Sequence, residues 1–320
     1  MKYRRLGKAG VKVSEIGLGN WLTFGGRFGD DVAAPCVHRA FELGVNFFDT
    51  ADIYARGGGE ECYGRLLGEF RRQDIVLATK VFFPMSDGVN DCGLSRKHIF
   101  ESIHGSLRRL RTEYVDLYQC HRLDEEVEMY EVVRAMDDLV RQGKILYWGV
   151  SEWPAAAIDH AFEWAFALNA YPPVSNQPEY SIAARRVEKN GVQKTCLEKG
   201  LGQVVWSPLK QGVLTGKYSG GHVPPDSRAS DERMNYFFKA VDRELAERVD
   251  RLRPIAERHG MALAQLAIAW LLQRETVSSV IIGASRVAQV EENIAATEFE
   301  LTPQDMQEID ALFPATDSED

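Results

Sequence analysis

Four side chains able to move or steer a proton, Asp49, Tyr54, Lys80 and His121, stand where apolar runs of the sequence give way to polar and small residues. The run NFFDTADIYARGGG, from residue 46, passes through Asp49 and presents a phenol, Tyr54, shortly beyond it; DIVLATK ends in Lys80 and YVDLYQCH in His121. Free tyrosine and lysine titrate at about 10 and about 10.4, so an ammonium held against a phenol favours the phenolate and lowers the tyrosine's pKa. In that reading Asp49 keeps Lys80 charged and placed, and Lys80 tunes Tyr54. His121 then orients a carbonyl oxygen for protonation, a step worth about 10²- to 10⁴-fold. An acid that protonates a carbonyl oxygen needs a nucleophile for the carbon, and hydride is the natural candidate. Singly, each residue has an ordinary structural reading: a buried ion pair, a loop anchor, a satisfied core histidine. Four polar groups at matching strand ends are harder to account for that way, because burying charge without purpose is costly.

A hydride donor would need its own contacts, and further strand ends offer them. Ser151 and Gln177 carry groups that recognise an amide, and Trp206 offers a flat face for a nicotinamide ring. The stretch GASRVAQVEENI begins with Gly283 for a tight turn and puts Ser285 near a helix start, where backbone N–H groups favour phosphate. No GxGxxG follows the first strand, so a Rossmann-type cofactor domain has no support. Trp21, the loop beginning at Phe82, Arg122 and Trp153 are expected to shape a substrate pocket with Tyr54 and His121, mixing aromatic walls with an anion contact.

Eight short apolar runs must position these groups: SEIGLGN, VNFFDT, DIVLATK, YVDLYQCH, ILYWGVS, PVSNQ, QVVWS and SSVIIGAS. Between them lie segments of helical spacing, such as residues 95–110, where Ile99, Ile103, Leu107 and Leu110 share a face and Ser95 can cap the start. Alternating strands and helices imply parallel strands, and a count of eight favours a closed (β/α)8 barrel within one domain. Its strand ends then form one rim, on which Asp49, Lys80 and His121 all point inward. YRRL-GKAG-VKVS predicts an N-terminal hairpin, bounded at residues 1–13, able to plug the barrel floor. The polar strand ends recur roughly one βα unit apart, except between Trp206 and Gly283, where the step more than doubles. That interval predicts a long functional loop, TGKYSGGHVPPDSRAS, whose Lys217 and Arg228 suggest an anion clamp, and an added amphipathic helix near residues 244–259. Residues 314–320 read as a flexible tail.

The 320 residues are 45% hydrophobic and 27% charged, and a net charge of -9 argues against nucleic acid or an anionic membrane as partner. The five cysteines are scattered without a CxxC pair, suggesting neither a disulfide framework nor a thiolate metal site, and fitting a reducing cytoplasm. The greasiest helical run, ALAQLAIAWLL, is too short to span a bilayer, and no secretion signal is apparent. Small-molecule partners are expected.

The stretches GLGNWLTFGG, FFDTADIYARG, VLATKVF, YVDLYQCHRLD, YWGVSEW, NQPEYS, VVWSPLKQGVLTGKY and SSVIIGASRVAQVEENI resemble the aldo-keto reductase superfamily, most closely the branch of the voltage-gated potassium channel β-subunits. The resemblance implies a TIM barrel that reduces aldehydes or ketones with NADPH, NADH being the weaker candidate. It matches Asp49, Tyr54, Lys80 and His121 to the catalytic tetrad. It further implies a cofactor site lined by Asn20, Trp21, Arg27, Asp49, Ser151, Gln177, Trp206, Ser207, Pro208, Leu209, Lys217, Arg228, Gly283, Ser285, Gln289, Glu292 and Asn293, with Lys210, Gln211 and Gly212 in the same loop. Glu152 and Arg286 are assigned to the same site; Glu152 departs from the asparagine many relatives carry and leaves a negative charge to explain, and Gln289 departs from an arginine, leaving NADPH preference to Ser285, Arg286 and the basic loop. Channel subunits carry asparagine where His121 stands, so a complete tetrad favours turnover over a mainly regulatory role. Related proteins form tetramers or larger rings, which makes a homo-oligomer one expectation.

Overall fold

A computed structural model gives the structure of residues 1–225, 227, 230 and 243–315. The expected hairpin forms from β1 (Tyr3–Arg5) and β2 (Lys12–Ser14), paired antiparallel with Tyr3 opposite Ser14. Eight further strands follow: β3 (Ile16–Gly19), β4 (Phe47–Asp49), β5 (Val76–Val81), β6 (Val115–Cys120), β7 (Ile145–Ser151), β8 (Ser175–Gln177), β9 (Gly202–Val205) and β10 (Val277–Ile282). All are parallel and close into a barrel in the order β10-β3-β4-β5-β6-β7-β8-β9, the (β/α)8 TIM barrel. Each of the eight apolar runs overlaps one of these strands, β5 running one residue past its run and β9 and β10 each starting one residue before theirs.

Helices α1 (Asp30–Glu42), α2 (Gly58–Leu66), α3 (Arg96–Leu110), α4 (Met129–Arg141), α5 (Ala155–Ala167), α6 (Val192–Lys199) and α9 (Leu263–Leu272) connect successive strands. In α3 the Ser95 hydroxyl accepts from the His98 N–H at 3.2 Å, and Ile99, Ile103 and Leu110 are buried while Leu107 is half-buried at the edge of the face. The amphipathic segment after the long loop is two helices rather than one, α7 (Arg243–Asp250) and α8 (Arg253–Arg258). Pro254 explains the break: it lacks a backbone donor and is tolerated only in a first turn, so the helix restarts there. After β10 come α10 (Val287–Ala295) and α11 (Pro303–Leu312), the latter opened by a reciprocal Thr302–Asp305 cap.

Inside the barrel, Phe47, Val76, Ala78, Leu117, Val204 and Ile281 pack with Leu6 and Val13 of the hairpin in one buried cluster, so the hairpin does plug the floor. Gly7 makes this possible, with φ at 58° and an added Cβ only 2.2 Å from the Gly200 carbonyl oxygen. A larger apolar core lies between strands and helices, and α9, apolar on every side, is buried within it. With the floor closed, chemistry belongs to the other end, where Asp49, Lys80 and Ser151 stand at the last turns of their strands. Among the described residues no helix is long and apolar enough to cross a membrane. Of the expected tail, residues 316–320 lie outside those described.

Candidate active site

Above the apolar layer the inward positions become polar. Lys80, fully buried on β5, donates from Nζ to Asp49 Oδ2 at 2.6 Å, to the Thr50 carbonyl at 2.8 Å and to the Tyr54 hydroxyl at 3.2 Å. Asp49 Oδ1 accepts from the side-chain amides of Gln177 at 2.9 Å and Gln119 at 3.3 Å. One carboxylate is thereby held by three donors from three different strands. Tyr54 leans over the set edge-on to His121, with ring centroids 5.8 Å apart. The turn that presents it is unusual: Ala55 and Arg56 both have φ of 51° and Gly57 has φ of 92°, a left-handed run in which each non-glycine residue costs about 1–2 kcal/mol.

Behind this turn, Asp52 accepts from the Ile53 N–H at 2.6 Å and from the Ser102 hydroxyl at 2.8 Å, tying the turn to α3. Burial, reinforced by the charge of nearby Glu60, pushes the Asp52 carboxyl up to about 7. Glu60, also fully buried, accepts from Thr79 and from Arg109.

The electrostatics correct one expectation. Burial pushes the Tyr54 phenol upward and outweighs the Lys80 ammonium, which pulls it down; Asp49 adds to the upward push. Lys80 therefore acts in the predicted sense without setting the net direction. Burial works against the Lys80 charge itself, yet Asp49 and Tyr54 overcome it and raise the lysine, keeping it an ammonium. His121 is driven well below the usual imidazole range by burial and by the Lys80 and Arg122 charges, so the ring is neutral, and its Nδ1 is buried without a hydrogen-bond partner among the described residues.

These groups open into a cavity of about 1020 Å³. Asp49, Tyr54, His121, Arg122, Ser151 and Gln177 line its inner part, with Trp21 and Trp206, edge to face at 5.9 Å, beside them. Arg27, Ser207, Pro208, Leu209, Gln211, Gly212, Lys217, Gly283, Ser285, Arg286, Gln289, Glu292 and Asn293 line the rest. The Ser151 hydroxyl donates to the Gln177 carbonyl at 2.8 Å, and Gln289 accepts from the Ser285 N–H at 2.9 Å and its hydroxyl at 3.3 Å.

Several expected lining residues stand elsewhere. Lys80 lies beneath the cavity rather than in its wall. Asn20 is buried and donates to the Gly59 carbonyl at 2.8 Å, and Trp153 is sunk in the outer core. Lys210 turns to Glu179 at 3.1 Å. Glu152 points away from the cavity, accepting from the Trp206 indole N–H and from Arg186, each at 2.9 Å, and from the Glu179 N–H; its charge is thus paired, and the indole is fixed by it. Phe82 packs on the outer core while its neighbour Phe83 faces the cavity, its ring 4.9 Å from His121, because β5 ends at Val81 and strand alternation ends with it. Arg228 lies outside the described residues. Phe83 lay within the loop expected to shape the pocket and Ser227 within the expected functional loop, neither singled out; Asp52, Gln119 and Arg186 carried no local signal, and only the alternation of β6 put Gln119 on the same face as His121.

Comparison with known proteins agrees with the architecture. The chain is 43% identical to a protein of Arabidopsis thaliana named as a voltage-gated potassium channel subunit beta, over 93% of this chain and 92% of the relative. A rice protein (Oryza sativa subsp. japonica) of the same name is 41% identical over 98% and 96%, and a Schizosaccharomyces pombe protein so named 42% identical over 98% and 94%. Residues 15–313 match the profile of the aldo/keto reductase family, and with that span and those identities the chain belongs to this family.

Proposed function

We propose that this chain is an NADPH-dependent reductase of aldehydes and ketones, with Tyr54 as the general acid. The observation that carries the reading is the Lys80 ammonium, bonded at once to Asp49 and to the Tyr54 hydroxyl on the floor of a cavity roomy enough for a dinucleotide and a small carbonyl. When bound, the reduced nicotinamide supplies the hydride that adds to the carbonyl carbon. The donor set suits such a ligand: Trp206 offers a plane, the hydroxyls of Ser207 and Ser227 are buried in the wall without partners among the described residues, and Gly283 to Arg286 lead into the N-terminus of α10. Arg27, Lys217 and Arg286 bring positive charge to the same wall, and Arg286 with Ser285 favours NADPH over NADH.

Neutral His121 can donate a hydrogen bond to the carbonyl oxygen without competing for the proton. The raised phenol stays protonated at neutral pH, so Tyr54 carries the proton it must deliver, and the ammonium beside it stabilises the phenolate left behind. The same ammonium speaks against a Schiff-base lyase, which needs a neutral lysine; Asp49 and Tyr54 raise Lys80 instead. Five unpaired cysteines fit action in the reducing cytoplasm.

The relatives' names favour a second reading, an NADP(H)-loaded regulatory subunit of slow turnover. A panel of aldehydes and ketones, assayed by NADPH and NADH absorbance with wild type and Tyr54→Phe, separates the two. Multiple turnovers that fall about 10²- to 10⁴-fold in Tyr54→Phe, with NADPH binding retained, support the reductase. Tight NADPH binding without turnover on any carbonyl supports the subunit.

A further inference from the structure

Arg122 follows β6 and stands next to His121 in the cavity wall. Its Nη1 donates to the His121 carbonyl at 2.5 Å and to the Ser151 hydroxyl at 3.4 Å, and its guanidinium sits 5.6 Å from the Phe83 ring centre. No carboxylate among the described residues pairs with it, and its remaining N–H donors have no protein acceptor there. At the inner end of the cavity Asp49 is already bonded to Lys80 beneath it, so Arg122 in the wall is left without a carboxylate among the described residues, in a chain whose overall charge is -9. A guanidinium is always charged and presents five donors in a plane, a shape that matches carboxylate or phosphate.

Arg122 is badly placed to serve a dinucleotide's phosphates. In the ring of eight strands β6 stands diametrically opposite β10, and the Gly283–Arg286 stretch and the start of α10 follow β10. The positive charge by His121 and Tyr54 is therefore at the carbonyl end of the cavity, across the barrel mouth from the phosphate-suited wall.

We infer that Arg122 is a specificity-determining residue that binds an anionic group of the substrate, so that the preferred substrates are aldehydes or ketones bearing a carboxylate or phosphate close to the carbonyl. The inference rests on the proposed reductase reading and narrows it to a substrate class. Ser151 and the His121 carbonyl fix the guanidinium, Phe83 flanks it, and the substrate's anion supplies the missing counter-charge.

The test uses the full chain loaded with NADPH and two matched pairs, 4-oxobutanoate against its methyl ester and glycolaldehyde phosphate against glycolaldehyde. Wild type should prefer the anion of at least one pair by about 10- to 100-fold in kcat/KM, the worth of a charge-assisted hydrogen-bonded pair. The pair preferred tells carboxylate from phosphate. Arg122→Gln should abolish the preference and Arg122→Lys should keep part of it, with melting curves showing both variants folded. Equal use of anion and neutral partner by wild type, or a preference that survives Arg122→Gln, overturns the inference while leaving the reductase intact. If no carbonyl is turned over, the reductase reading fails, and saturation-transfer NMR with 4-oxobutanoate and glycolaldehyde phosphate then decides on the anion site alone. Binding lost in Arg122→Gln upholds it, and absence of binding to wild type overturns it.

Discussion

Replacing Lys80 by methionine removes a fully buried ammonium and its bonds to Asp49, Thr50 and Tyr54, at 2.6, 2.8 and 3.2 Å. What remains is a carboxylate, 3% exposed, whose direct donors among the described residues are the amides of Gln177 and Gln119. Leaving one member of such a pair uncompensated costs about 3–5 kcal/mol, and methionine's similar volume recovers little of it. Asp49→Asn should cost a comparable amount by stranding the ammonium. The double variant buries two neutral groups, so its cost should fall short of the sum by about 2 kcal/mol or more. Urea unfolding of the four proteins measures this directly. Because the folded lysine is raised above its ordinary value of 10.5, its contribution is fully present below the unfolded pKa and is lost only as pH rises through the still higher folded one. The penalty should therefore be flat between about pH 6 and about pH 9. A Lys80→Met cost below about 1 kcal/mol, or single costs that add within about 0.5 kcal/mol, would refute the coupled buried pair.

Asp52 gives a slope of the same sign in a lower pH window. Its folded value of about 7 lies above the unfolded 3.8, so its contribution is fully present below 3.8 and drains away as pH rises towards 7. Relative to Asp52→Asn, which can keep both hydrogen bonds, wild type should lose on the order of a few kcal/mol of stability over that window; parallel stability curves would exclude the assignment. Glu152→Leu strips the acceptor from the Trp206 indole, and NADPH affinity, followed by quenching of protein fluorescence, should weaken about tenfold. Unchanged affinity would show that the indole needs no such anchor.

The strands and the rim were legible because both follow from local rules. Apolar runs end in polar residues, alternation fixes which of them face inward, and Asp49, Lys80 and His121 needed only those two facts. Where local rules stop, so did foresight. Phe82 and Phe83 are neighbours of one type, and which enters the cavity depends on β5 ending at Val81. Glu152 read as an unexplained charge because its partner Arg186 is 34 residues away, brought near by the barrel closing. The helix near 244–259 splits at Pro254, a signal present in the sequence but outweighed there by amphipathic spacing. The direction of the Tyr54 shift depends on how deeply the phenol is sunk, a quantity that residue types alone do not carry.

The most direct test of the account is a single-turnover experiment in which NADPH-loaded protein is mixed with excess 4-oxobutanoate and loss of NADPH absorbance is followed, using nucleotide with hydrogen or deuterium at the transferable position. One NADPH should be oxidised per chain, more slowly with deuterium, and the reaction should be almost wholly lost in Tyr54→Phe. NADPH that stays reduced in wild type whatever carbonyl is offered, or a Tyr54→Phe rate equal to wild type, would contradict it.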